Sequence, residues 1–153
     1  MVYQAIIQTP VGKLGISTFD RLLTRIDFLT EDKSLIAPKG KTLNHIVNQL
    51  IHYFQYPNFK FNIPYQLQGT PFQKKVWQTL SKLSPKKTIS YGTLAKKLNT
   101  GARAIGNACR VNPLPILIPC HRVVAQRDLG GYKGQEISIK KWLLKHEFYS
   151  TEF

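Results

Sequence analysis

Between residues 56 and 71 the chain reads YPNFKFNIPYQLQGTP, and no regular helix can pass through it. Pro57, Pro64 and Pro71 each lack a backbone donor and hold the residue before them extended. The stretch also lacks a helical spacing of apolar residues, so it predicts an extended connector between two units. The chain has 153 residues, 42% hydrophobic and 11% aromatic, enough to bury a core in one ordinary domain or two small ones.

Ahead of the connector, YQAIIQTP, KLGIST and LLTRIDFLT are rich in β-branched and aromatic residues and predict antiparallel strands. Pro10-Val11-Gly12 and Asp20-Arg21 supply the turns. Leu43, Ile46, Val47, Leu50, Ile51 and Phe54 recur at helical spacing and predict a helix over about 41–55. The first half is therefore a small α+β unit.

Behind the connector the signals are helical. Thr70 is a good N-cap, Pro71 suits the first turn, and Phe72, Val76, Leu80 and Leu83 form one apolar stripe. An extended TIS leads to a second helix, Tyr91 to Leu98, capped by Ser90, with Leu94, Ala95 and Leu98 inward. After the Asn99-Thr100-Gly101 turn, ARAIGNACRV forms a third helix that ends before Asn112-Pro113. Helix, tight turn, helix is a helix-turn-helix layout, though many helical hairpins share it and bind nothing. Charge favours binding. The formal net charge is +14, and residues 69–153 carry 15 Lys and Arg against 4 Asp and Glu, compared with 7 against 4 in residues 1–68. A polyanion, nucleic acid above all, is the partner such an asymmetry implies. Ala102, Ala104, Gly106 and Ala108 are small while Arg103 and Arg110 are long. That suits either a backbone pressed against a ligand or tight helix packing.

The only cysteines are Cys109 and Cys120. Cys120 ends the apolar run PLPILIPCHRV, beside His121 and Arg122. A thiol becomes a strong nucleophile only as thiolate, and a neighbouring base or cation can provide that; a lone cysteine behind PILI can equally be a buried small hydrophobe. The last helix, SIKKWLLKHEF, sets Ile139, Trp142, Leu143 and His146 at core spacing and places Glu147 one step off that stripe. Glu147 can be a solvated surface residue or the carboxylate that orients His121. Spacing alone leaves both pairs of readings open.

GTPFQKKVW, ISYGTLA, RAIGNACRVNPLPILIPCHRV and WLLKHE, in this order, closely resemble the O6-alkylguanine-DNA alkyltransferase family over about residues 69–147. The resemblance implies an α+β fold: a small N-terminal antiparallel-sheet domain, ribonuclease H-like, over 1–65, then an all-α helix-turn-helix or winged-helix-like domain over 66–153. It implies repair of O6-alkylguanine in double-stranded DNA by nucleotide flipping and irreversible transfer of the alkyl group to Cys120, once per molecule. His121 would be the base, acting through a water, Glu147 would orient it, and Asn112 would brace the turn. Tyr91 would crowd the target's phosphate, Arg103 would fill the vacated base stack, and Tyr132 would be the aromatic of the pocket loop. Gly106 and Arg110 would lie on the DNA face. Arg122 fits a structural ion pair or backbone contact better than a catalytic role. Cys109 should be dispensable.

The loop AQRDLGGYKGQ is shorter than the family's usual loop and carries Gln135 where a glycine is common, so the alkyl pocket should differ in shape. No cofactor is expected. No metal is expected either, since Cys-x-x-Cys is absent and residues 1–68 offer only His45 and His52. MVYQAIIQTPVG lacks a basic segment followed by an apolar one, and no stretch has transmembrane length. The expectation is a cytoplasmic monomer, nucleoid-associated in a bacterium or nuclear in a eukaryote.

Overall fold

The computed structural model describes residues 2–126 and 137–149. Two compact units share the chain, the first ending at Gln68 and the second beginning at Gly69.

The first unit is a three-stranded antiparallel sheet, β1 (Ala5–Thr9), β2 (Gly12–Phe19) and β3 (Leu22–Leu29), followed by α1 (Lys41–Gln55). The second hairpin turns through Asp20 (φ 50°) and Arg21 (φ 65°), the two left-handed residues of a type I′ turn, whose twist matches that of the strands. Register places Ile7 against Leu14 and Ala5 against Ile16, and Ile16 against Ile26. These residues are buried, as are Leu43, Ile46, Val47, Leu50 and Tyr53 of α1. The α1 face differs from expectation at one point: Ile51 is 42% exposed and Phe54 half-buried, and Tyr53 fills the inward position instead. The unit does not stop at α1. Leu23 donates to the Pro64 carbonyl at 3.0 Å, and Gln66 donates back to Leu23 at 3.0 Å, so the connector is extended because it hydrogen-bonds along β3.

The second unit opens with α2 (Pro71–Leu80). Thr70 and Gln73 close a reciprocal capping box, with Pro71 in the first turn. Gly69 is required there, because a Cβ on it would lie 2.7 Å from Gln73 Oε1 and from the Trp77 ring. Buried Trp77 donates from Nε1 to the Ala108 carbonyl at 3.0 Å, tying α2 to α4. Then come β4 (Ile89–Ser90), α3 (Tyr91–Lys97), α4 (Ala102–Arg110), a 3-10 turn Cys120–Arg122, β5 (Val123–Val124) and α5 (Ile137–Tyr149). Ser90 caps α3 by accepting from the Thr93 N–H at 3.0 Å, and Asn99, at φ 55°, makes the turn into α4. The helix-turn-helix layout is therefore present, and a detail is added to an otherwise helical unit. The extended piece at 89–90 pairs in parallel with 123–124, Ile89 against Val123 and Ser90 against Val124.

Candidate active site

The segment between α4 and the 3-10 turn is apolar, and Leu114, Ile116 and Ile118 have no exposed surface. A buried loop must pair its backbone groups, and Asn112 does much of this pairing. Its Oδ1 accepts the Leu114 N–H at 2.9 Å; its Nδ2 donates to the Ile118 carbonyl at 2.9 Å and approaches Cys120 Sγ at 3.2 Å. One amide therefore clamps both ends of the loop and touches the thiol. Backbone bonds from Ile118 to Leu114 and from Cys120 to Ile118, both 2.8 Å, complete the turn. Ile116 sits at φ 77°, where a β-branched side chain is strained by roughly 1–3 kcal/mol, a cost that only a tightly determined loop sustains.

Cys120, His121 and Glu147 are at most 1% exposed, and Arg122 6%. His121 Nε2 lies 2.6 Å from Glu147 Oε2. Arg122 donates from Nε to Glu147 Oε1 at 2.8 Å and from Nη2 to Oε2 at 2.9 Å, and its Nη1 donates to the Leu83 carbonyl. This bidentate pair is the ion pair and backbone contact expected of Arg122. Burial pushes His121 below its ordinary pKa, with the Arg122 and Lys140 charges acting the same way and Glu147 opposing. Burial alone would raise the Glu147 carboxyl, but its bonds to His121 and Arg122 take it down to about 2. The consistent state is an ionised Glu147 accepting from Nε2–H of a neutral imidazole. Nδ1 is then the lone-pair nitrogen, and it is a buried atom with no hydrogen-bond partner among the described residues. It can accept a proton.

The inward face of α5 is not the one its apolar spacing indicated. Lys140, Leu143, Leu144, His146 and Glu147 are buried, while Ile139 and Trp142 are half-buried. Trp142 stacks on His146 with ring centroids 4.7 Å apart. Polar bonds account for the rotation: Glu147 is drawn in by His121 and Arg122, and Lys140 Nζ donates to the Val123 carbonyl at 2.6 Å. Sequence reasoning missed Lys140. The one available signal was its spacing of three from Leu143 and seven from Glu147, which puts all three on one helical face.

Tyr91 is half-buried at the start of α3, its ring centroid 5.6 Å from Lys140 Nζ. Arg103 and Arg110 are exposed on α4 and Gly106 is half-exposed between them, so the three share one outward face. Arg110 Nη2 donates to Asn107 Oδ1 at 3.0 Å. The small residues of α4 fall into two groups. Ala108 is buried beside Ile105 and Cys109, whereas a Cβ on Gly106 would meet nothing within 4 Å; helix packing explains the first and not the second. Tyr132 and most of the loop that holds it lie outside the described residues.

The family described as 6-O-methylguanine DNA methyltransferase, DNA binding domain, matches residues 71–148. The constitutive methylated-DNA–protein-cysteine methyltransferase of Bacillus subtilis is 34% identical over 96% of this chain and 96% of its own length. The chain belongs to the methylated-DNA–protein-cysteine methyltransferase family. Among solved structures, the O6-methylguanine methyltransferase of Mycobacterium tuberculosis superposes with a TM-score of 0.85 at 31% identity, covering 99% of this chain and 96% of that one. The OGT of the same organism in complex with DNA gives 0.82 at 34% identity, covering 95% and 93%.

The match to the methyltransferase DNA-binding domain spans Asn112, the Cys120–Arg122 turn, Glu147 and the α3–α4 pair. Among the described residues of this family member, no group of three or more His, Cys, Asp or Glu could hold a metal ion. No described helix is long and apolar enough to cross a membrane.

Proposed function

We propose that the chain repairs O6-alkylguanine in double-stranded DNA by flipping the nucleotide and moving its alkyl group to Cys120 Sγ, as a methylated-DNA–protein-cysteine S-methyltransferase. The observation that carries this reading is the His121 geometry: Nε2–H is committed to Glu147, and Nδ1 is left buried as the one lone pair able to take a proton. The Cys120 proton passes through a water to Nδ1, the thiolate attacks the alkyl carbon, the S–C bond forms as the C–O6 bond breaks, and the electron pair leaves on guanine, which is then protonated. A thioether has no leaving group that this site can expel, so each chain acts once. Asn112 holds Sγ and the loop in place, and Glu147 and Arg122 fix the imidazole.

Arg103, Gly106 and Arg110 form the face that meets DNA. Gly106 permits close approach of the helix backbone, Arg103 occupies the stack vacated by the flipped guanine, and Tyr91 contacts the backbone of the target strand. Tyr132 belongs to the alkyl pocket. In this reading the unit that ends at Gln68 is the N-terminal domain and the unit that begins at Gly69 is the DNA-binding and methyl-acceptor domain. The protein works as a monomer in the compartment that holds the DNA, the bacterial cytoplasm at the nucleoid or the eukaryotic nucleus. Cys120→Ala should abolish transfer and still bind O6-methylguanine duplex, since charge and Arg103 are intact. Single-turnover transfer and gel-shift assays on one preparation check this, and retained transfer contradicts the assignment.

A further inference from the structure

The last helix carries more apolar surface than the core takes up. Among the described residues of the second unit, the exposed large hydrophobic side chains are Val111, Phe148 and Tyr149, and two of these follow one another at the end of α5. Phe148 is 39% exposed and Tyr149 80%. With Leu144 and, from β5, Val124, they line a groove of about 420 Å³ that Lys141 and Lys145 also border. Lys145 and Tyr149 are shared with a second hollow of about 300 Å³, whose other lining residues are the stacked pair Trp142 and His146. The two lysines are exposed and one helical turn apart, a spacing at which like charges repel. No described carboxylate of the unit neutralises them. Glu147 is the one Asp or Glu among its described residues, and it is buried against His121 and Arg122.

We propose that this surface of α5 docks an acidic segment of a partner protein, one that carries bulky apolar side chains between its carboxylates. The two hollows take the apolar side chains, and the Lys141 and Lys145 ammoniums meet the carboxylates. Duplex DNA fits the charge and not the floor: it presents phosphates outward and keeps its bases stacked inside, so it has nothing to fill an apolar hollow. A small anion would use one lysine and one hollow, whereas two hollows joined at Lys145 and Tyr149 match the alternation of a peptide. Arg103, Gly106 and Arg110 are on α4, Cys120 is buried, and none of them lines either hollow. Docking here is therefore independent of alkyl transfer, and the proposal goes beyond the repair reading.

The probe is a fluorescein-labelled synthetic peptide with two phenylalanines set among aspartates and glutamates, titrated with the full chain by fluorescence polarisation. Its controls are the same peptide with serine for phenylalanine, the same peptide with lysine for each acid, and a labelled single-stranded oligothymidylate. The peptide should bind with a dissociation constant below about 100 μM, and both peptide controls should bind at least about tenfold more weakly. Lys141→Glu/Lys145→Glu and Phe148→Ser/Tyr149→Ser should each weaken the peptide about tenfold or more, the scale of losing the charge complement or an aromatic anchor. Single-turnover transfer from O6-methylguanine duplex should stay within about twofold of wild type in both variants. If the serine pair does not fold, judged by circular dichroism, Tyr149→Ser carries the comparison, since that ring is 80% exposed. No binding up to about 1 mM, equal binding of the serine control, or binding that the variants leave unchanged overturns the proposal. Oligothymidylate binding that falls with the same variants would make this a nucleic-acid surface, and a parallel loss of transfer would make it part of the repair machinery; either result also overturns it.

Discussion

At the residue scale the decisive group is His121. Its pKa lies below the ordinary 6.5, chiefly because it is buried, so the imidazole is neutral and able to act as base across the physiological range. The single-turnover rate should be flat from neutral pH upward and decline only on acidification, with a midpoint below 6.5. His121→Ala should lose roughly 10²–10⁴-fold at neutral pH, the usual value of a positioned base, and its rate should climb with pH as hydroxide ionises the thiol. A wild-type midpoint above 6.5, or a variant with an unchanged profile, would contradict the assignment. Stability should follow the same groups. A histidine with a depressed folded pKa contributes stability that is complete above 6.5 and is lost as pH falls below it. Glu147, depressed from 4.5 to about 2, contributes stability that is complete above 4.5 and is lost between 4.5 and about 2.

At the scale of elements, α4 separates flipping from chemistry. If Arg103 fills the hole left by the extruded guanine, Arg103→Ala should slow repair of duplex strongly, since nothing then offsets the few kcal/mol of lost stacking. Free O6-methylguanine has no stack to leave, so its reaction should change little. Arg103→Lys should fall between, having charge without the planar guanidinium. Comparable losses on both substrates would mean that Arg103 shapes the site or the fold.

The elements also divide into those that are legible in the sequence and those that are not. The α2 start is legible because Thr70, Pro71 and Gln73 form a local cap with known chemistry, and the α3–α4 pair because its turn and stripe are local too. The β4–β5 pair is not, since two-residue strands carry no period and their partners are far apart in sequence. The face of α5 differs from its apolar spacing because periodicity cannot register a buried Lys140 or Glu147, whose inward turn is set by Val123, His121 and Arg122 on other elements. Tyr53 replaces Ile51 inside α1 for a related reason: both fit an apolar stripe, and only the tertiary neighbours distinguish them. Cys120 and His121 are legible as a candidate pair from adjacency, but their roles come from resemblance, because nothing local says that a cysteine behind PILI is more than a small hydrophobe.

At the scale of the whole molecule, the excess positive charge lies in the half that holds the cysteine, so the unit that is drawn to a polyanion is the unit that would carry the nucleophile. Under the proposed function, this arrangement would let one small unit bind, flip and react, and each chain would be consumed with a fixed stoichiometry. The most direct test is intact-mass measurement after incubation with excess O6-methylguanine duplex, followed by peptide mapping. Repair by transfer to Cys120 predicts that every active chain gains the mass of one methylene and no more, that the gain sits on the peptide containing Cys120, and that the Cys109 peptide is unchanged. A mass that stays constant while the DNA is demethylated, or a methyl group on any residue other than Cys120, would contradict it.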